Sequence, residues 1–296
     1  MVTYIIYRDM KVINCNLSSS YLTVDLSQNA YIGFAHNLAR YLNDKLPKPD
    51  ELSGEEHAVK LGSEKVFSIV KQLEFYKGYA SLAGHLNDSN HKNLNIPMNP
   101  PEIKGSLRHT IVMAIDIAEP DELSLIEHVQ TFVLFNRFAG GDIQVMADDN
   151  IKVYQNDKDL QEALKIEKGW LIQDARAELV KEAKDEKTKE FDYSKAFNNF
   201  LAIFTEVDEK GNKQHKRHHK GWYFASLAGY QLLEAPKKRI GVRRKKDSPD
   251  YPHAFAEPII GLHKLVYYRQ QHLNDLFWQA EMRDNTYLIK QNLPQE

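Results

Sequence analysis

Phosphate-binding residue types are concentrated in one stretch of the chain. Between Lys210 and Lys246 stand twelve Lys/Arg and one acid, Glu234, a local charge of +11; the net charge is −2, so the remainder sums to −13. Lys213, Lys216, Arg217, Lys220, Lys237, Lys238, Arg239, Arg243, Arg244, Lys245 and Lys246 surround Trp222, Tyr223 and Phe224. Cations neutralise phosphates and aromatic faces stack bases, so the segment reads as a nucleic-acid contact. The plainer alternative is a solvated loop with a core strand between its arms. His215, His218 and His219 have a spacing that can hold zinc, but structural zinc sites usually add cysteines, and none is near. They read as part of the phosphate-contacting surface. No metal and no cofactor are expected.

A second concentration is Arg137-Phe138-Ala139-Gly140-Gly141-Asp142. A double glycine between helix and strand lets the backbone approach a ligand closely. It also serves as an ordinary helix C-cap, which local sequence favours. The glycine spacing is not that of a dinucleotide loop. Asp142, Asp148 and Asp149 could hold Mg²⁺, but they flank a strand end and a turn, where Asp is common for backbone reasons. His36 could serve as a general base, although lining a helix–sheet boundary is the simpler role. The chain has no Walker loop, HExxH pair or nucleophile elbow, so it is expected not to be an enzyme.

The elements that must position these residues follow from periodicity. Thr3 to Asn16 reads as a strand through Tyr4, Ile5, Ile6, Val12 and Ile13. A turn follows at Ser18, Ser19 and Ser20. Asn29 to Leu42 repeats Ile32, Ala35, Leu38, Ala39 and Leu42 on one helical face, closed by Pro47 and Pro49. Lys65 to Tyr79 and Arg108 to Ala118 read as strands, with an Asn- and Pro-rich loop from Leu86 to Pro101 between them. Pro120 and Asp121 open a helix to about Asn136, with Leu123, Ile126, Val129, Phe132 and Val133 inward and the double glycine as its stop. Asp142 to Ala147 resumes as a strand. Asp157 to Phe204 reads as mostly helical, interrupted at Gly169–Trp170. Trp222 to Leu227 is a strand, and Pro249 to Pro258 a loop. Ile259 onward reads as a strand, a helix over Leu273 to Met282 and a last strand over Tyr287 to Lys290.

This order fits an α+β fold with a ferredoxin-like, RNA-recognition-type core. The core is expected from 1–155 plus 220–296, with a loop or ribbon insertion at 47–106 and a mostly helical insertion at 156–219. At 296 residues and 42% hydrophobic content a sizeable core can be buried. One cysteine, Cys15, rules out internal disulfides and suits a reducing cytoplasm. No apolar run approaches the about 18 residues of a membrane helix, and no signal pattern opens the chain.

Five segments together resemble one family. They are Leu17 to Leu42 with Gly33-Phe34-Ala35-His36-Asn37-Leu38, then Arg137 to Ile143, then Lys168-Gly169-Trp170 through Leu179. The last two are Gly221-Trp222 through Ala228-Gly229-Tyr230, and Pro252-His253-Ala254-Phe255-Ala256-Glu257-Pro258 followed by Gly261-Leu262. In this order they are similar to the RAMP-type subunit of type I-F CRISPR surveillance complexes (Cascade) that caps the 5′ handle of the guide RNA. Val24-Asp25-Leu26-Ser27-Gln28-Asn29 stands where the family carries a Pro-containing stretch, and the basic segment is unusually dense. Both departures suggest a divergent or minimal variant.

The resemblance implies a non-catalytic crRNA-binding subunit in the bacterial cytoplasm. Its partners would be crRNA, other Cascade proteins and target double-stranded DNA near the protospacer-adjacent motif, with no membrane. It places Arg137, Gly140 and Gly141 against RNA. Lys216, Arg217, Lys220, Lys237, Lys238, Arg239, Arg243 and Arg244, with Lys245 and Lys246 of the same arm, would contact phosphate; His36 and His253 are secondary candidates. The sheet face is expected to offer a platform for single-stranded RNA. The repeated backbone subunit coating the spacer, and a metal-independent guide-processing ribonuclease using His36 or the 215–219 histidines, remain alternatives. A generic basic interaction protein is a third.

Overall fold

The computed structural model describes residues 2–17, 26–47, 58–76, 103–118, 122–185, 187–207, 211, 213–238, 252–269 and 273–291. Among these, strands dominate and helices cover them, a mixed α/β architecture. β1 (Val2–Asn16), β2 (Lys65–Phe75) and β3 (Lys104–Asp116) lie antiparallel in the order β2-β3-β1. The far edge of β1 takes β5 (Gly141–Ile143) and β6 (Ile151–Tyr154), and β4 (Arg137–Phe138) pairs with β5.

The β1 run Thr3 to Tyr7 is buried without a break, because both faces of this sheet are covered. On one face Ile5, Tyr7, Ile111, Met113 and Ile115 pack with α1 (Gln28–Lys45) and α2 (Glu122–Phe135). On the other, Tyr4, Ile6, Phe67, Ile69, Val112 and Ala114 pack under Leu160 and Leu164 of α3 (Asp157–Leu164) and under Leu273, Leu276 and Phe277. Among the described residues, hydrophobic packing therefore covers much of the face expected to be an RNA platform.

α1 starts where the Ser27 side chain accepts from the Asn29 amide, a local cap, and buries Tyr31, Phe34, Ala35, Leu38, Ala39 and Leu42. In α2 the inner face is Leu125, Val129, Phe132 and Val133, whereas Leu123 is exposed, not inward. The expected helical stretch after 157 divides. α4 (Arg176–Ala183) and α5 (Tyr193–Leu201) are helices, but Trp170 opens β7 (Trp170–Asp174), a sheet strand. The segment then leaves the sheet as a two-stranded ribbon, β8 (Ile203–Val207) and β9 (Lys213–Arg217).

β7 pairs with β11 (Ala256–Tyr267), β11 with β10 (Trp222–Leu232), and β10 with β13 (Thr286–Gln291). β13 pairs with β12 (Trp278–Arg283). β12 and β7 both return to β2, at Trp278↔Val66 and Trp170↔Val70, so six strands close on themselves. The helix expected over Leu273 to Met282 is a short 3-10 turn, Leu273–Asp275, followed by β12. Its apolar residues are spaced as on a helix, but Trp278 goes into the ring and donates to the Ile172 carbonyl at 3.2 Å. The Ser-rich turn and the 86–101 loop lie outside the described residues.

Among the described residues two histidines are buried, and burial favours their neutral form. His109, on β3, has Nδ1 2.9 Å from the Tyr31 hydroxyl, and burial, then Lys71, pushes its pKa down to about 3. His263, on β11, falls to about 4, first through burial, with Asp174 opposing. Unfolded histidine titrates near about 6.5, so below that pH the unfolded chain binds the extra protons and stability drops. Each histidine should remove roughly 1 kcal/mol between pH 7.5 and 5.5. Urea midpoints at these two pH values check this; replacing His109 by Asn should shrink the difference by about half.

Candidate nucleic-acid interface

The double glycine is not a helix stop. α2 ends at Phe135, and Ala139 (φ +48°) and Gly140 (φ +74°) make the two-residue turn of the β4–β5 hairpin. Positive φ at both central positions is the geometry that follows the natural twist of paired strands, and it is why glycine stands there. Gly140 faces open space, whereas a Cβ on Gly141 would lie 2.5 Å from the Ile13 carbonyl oxygen and 2.7 Å from Cys15. The hairpin is thus clamped onto β1 through Gly141 and presents its tip outward. Arg137 leaves the hairpin with a side chain 72% exposed, paired with Asp142 across the ladder at 3.0 Å. Asp142 belongs to this ion pair. Asp148 and Asp149 lie in the 3-10 turn Asp148–Asn150, with Asp149 3.6 Å from Lys152.

His36 sits on α1 with its ring partly exposed and Nδ1 3.3 Å from Glu64. Glu64 is buried, and both its oxygens accept from the Gly62 amide at 3.0 Å. This partner lies 28 residues further on, where no local pattern marks it.

The basic segment is split by the fold. Lys216 and Arg217 end β9, where Lys216 pairs with Glu206 and the Arg217 guanidinium stands 5.3 Å over the Trp222 ring. Lys220 is exposed in the bend before β10. Lys237 and His253 meet: their backbones exchange hydrogen bonds of 2.9 and 2.8 Å, and the Lys237 ammonium is 3.0 Å from Glu234. Lys238 is exposed beside them. Arg239, Arg243, Arg244, Lys245 and Lys246 lie outside the described residues.

The expected contacts therefore form separate groups. Arg137, Gly140 and Gly141 stand at one end of the strand order, and Lys216, Arg217 and Lys220 flank β10 towards the other, with β11, β7, β2, β3, β1 and β5 between. Arg8, Lys71 and Arg108 are committed to internal pairs. A bulge in β1 after Tyr7 turns Asp9 (φ +59°) onto Arg108, which donates to both its oxygens at 2.7 and 2.6 Å. The Arg108 guanidinium, with Lys71 3.2 Å away, holds the Asp9 carboxyl below the usual carboxylate range. Lys71 also lies 2.9 Å from Glu167, which takes Arg8 at 2.7 Å and the Thr110 hydroxyl at 2.9 Å. This network pins the sheet to the loop before β7. Its members are scattered from 8 to 167, so no local sequence pattern marks it.

Residues 5–289 match the family described as CRISPR-associated protein (Cas_Csy2), and the chain belongs to that family, a subunit of the type I-F Cascade. A search of curated proteins finds no match. No helix among the described residues is long and apolar enough to cross a membrane.

The two glycines should separate packing from tip geometry. Gly141→Ala forces a Cβ into β1 and should cost about 2–4 kcal/mol. Gly140→Ala meets only left-handed strain, about 1 kcal/mol. Thermal unfolding of the two variants should rank them in that order.

Proposed function

We propose that this chain is the non-catalytic subunit that binds guide RNA and caps its 5′ handle, and that it also contacts target DNA near the protospacer-adjacent motif. The observation that carries the reading is the family match over nearly the whole chain, with an exposed Arg137 hairpin at one sheet edge. The strand order β2-β3-β1-β6, with α1 and α2 on one face, supports a ferredoxin-like RAMP core. In this reading the protein grips phosphates and a few splayed bases, and guide pairing reads the target. Cation-bearing edges do the gripping, since the sheet face is filled. The subunit works in the bacterial cytoplasm beside other Cascade proteins and performs no chemistry.

Co-purification tests this directly. The tagged chain is expressed with a CRISPR array and its adjacent genes; bound RNA is sequenced and subunits are counted. One copy per complex, with RNA 5′ ends at a single repeat-derived position, is expected. Many copies scaling with spacer length would make it the backbone subunit instead. Binding should weaken with salt at a slope of about −4 for about six single-strand phosphates, and Arg137→Ala should flatten that slope by about 0.7. Repeat RNA incubated without metal should stay intact; a cut lost on His36→Ala would overturn the non-catalytic assignment.

A further inference from the structure

A cavity of about 480 Å³ opens at one end of the β2-β3-β1 layer, on the α3 side. The register explains why it lies there. Lys65 and Tyr4 both stand opposite Ala114, so the three form one row across the strands. The row before it is filled, with Ile6, Phe67 and Val112 packed under Leu160 and Phe277. In the row after it Val2 faces Asp116 at the mouth. Ala114 is the smallest of these side chains, so the face is lowest there, and Phe277 with Asn274 forms the wall above it. The polar groups divide by what they already do. The Tyr4 hydroxyl donates to Asp157 at 2.6 Å, and the Ser63 hydroxyl donates to the Lys60 carbonyl at 2.8 Å, which leaves the Ser63 oxygen able to accept. Lys65 is exposed, and no ion pair among the described residues takes its ammonium. Asp116 makes contacts of its own, but a carboxylate has about four lone-pair sites and accepts further donors. Strand spacing puts Lys65 and Asp116 about 8 Å apart, a cation and an anion at opposite corners of an apolar slot.

We propose that this cavity is a mononucleotide site that takes one nucleoside monophosphate whose base carries an exocyclic amine, cytosine or adenine. The size is that of a small-molecule pocket, about 300–1,000 Å³. Its chemistry asks for three things in one ligand. Lys65 asks for an anion, which the phosphate supplies. Asp116 asks for a donor, which the exocyclic amine supplies, and the Asn274 amide can pair with the ring acceptor beside it. The wall of Tyr4 and Phe277 over the Ala114 methyl asks for a flat apolar body, and aromatic edges meet the face of a base favourably. Inorganic phosphate leaves the wall and Asp116 unused, and an apolar side chain leaves both charges unused. Uracil sets a carbonyl oxygen against the carboxylate, so it should be rejected. The cavity is separate from the Arg137 hairpin: Tyr4 stands about 25 Å along β1 from Val12, where β5 is paired. The assignment therefore does not rest on the capping reading. A nucleotide can arrive free in solution or as one residue of an RNA chain, and the experiment separates the two.

Equilibrium dialysis of the full chain against CMP, AMP, UMP and cytidine tests this, repeated on the complex co-purified with guide RNA. CMP and AMP should bind the full chain with a Kd of about 10–100 μM, and UMP about ten-fold more weakly. Lys65→Ala should weaken CMP about ten-fold and leave cytidine unchanged, because only the phosphate contact is lost. Asp116→Asn should remove the margin of CMP over UMP, since an amide can donate to the uracil carbonyl. Ala114→Leu fills the slot and should abolish binding. Where circular dichroism shows that this variant does not fold, Asn274→Ala replaces it and should weaken CMP and AMP about five-fold. CMP binding that persists in the guide-loaded complex identifies a free nucleotide as the occupant. CMP binding that is lost on guide loading and returns after ribonuclease treatment identifies a residue of the RNA. Either result keeps the site. Absence of saturable CMP and AMP binding to the full chain, equal binding of UMP, or CMP affinity unchanged by Lys65→Ala would each overturn the assignment.

Discussion

The structure depends on the double use of one strand. β2 gives one edge to β3 along most of its length, while its other edge takes β12 at Val66 and then β7 at Val70. A strand with both edges occupied cannot slide without breaking ladders on both sides. Its side chains are shared in the same way: Val66 and Val70 point to the α1 side, Phe67 and Ile69 to the α3 side. β2 thereby joins the β1–β3 layer to the closed ring of β7, β10, β11, β12 and β13. Trp278, fully buried where β12 meets β2, fills that junction and satisfies its indole N–H on Ile172.

Closure has a consequence for polar groups. Inside the ring Gln291 accepts from the Asp174 amide and donates to the Leu276 carbonyl, so a buried amide fastens β13 to β7 and to the turn before β12. Asp174 also caps the start of α4 by accepting from the Arg176 amide at 2.9 Å and pairing with its guanidinium. Glu178, on α4, takes the Tyr223 hydroxyl at 2.6 Å and pairs with Lys264. Burial, followed by the Glu178 bond, raises the Tyr223 pKa to about 12, so this phenol stays a donor. The root of the ribbon inherits its position from these contacts, because Phe200 packs 4.7 Å from Tyr223.

Long periodic elements were legible in the sequence. β1, α1, β3 and β10 carry runs that only one secondary structure satisfies. The failures share a physical cause, which is burial that hides periodicity. β7 is buried at Leu171 and Ile172 on successive faces, so it shows no alternation and does not stand out from the helical patterns around it. Leu273, Leu276 and Phe277 mimic a helical stripe but are the lid over the second sheet face. The double glycine followed a real helix, and local sequence does not separate a cap from a hairpin one residue further on. At the site, charge density was legible as composition, whereas its distribution was not. The pairing that sorts Lys213, His215 and Arg217 from Lys216 is set by β8, whose Phe204 closed the apparent helix.

One face of the β2-β3-β1 layer is closed by its own hydrophobic packing. An RNA-recognition-type sheet normally offers exposed aromatics on the face opposite its helices. Here Tyr4 and Phe67 occupy that face but are consumed by Phe277, at 6.1 and 4.9 Å. Opening the face would expose a full hydrophobic cluster, which is far costlier than moving a hairpin already in solvent. The cations near the sheet follow the same logic: Arg8, Lys71 and Arg108 are bound to Asp9 and Glu167 and serve cohesion. Among the described residues Arg137 and Arg217 instead stand on short antiparallel hairpins, held by the close approach of Gly141 to β1 and by the Trp222 ring, so their positions are fixed without a sheet surface beneath them.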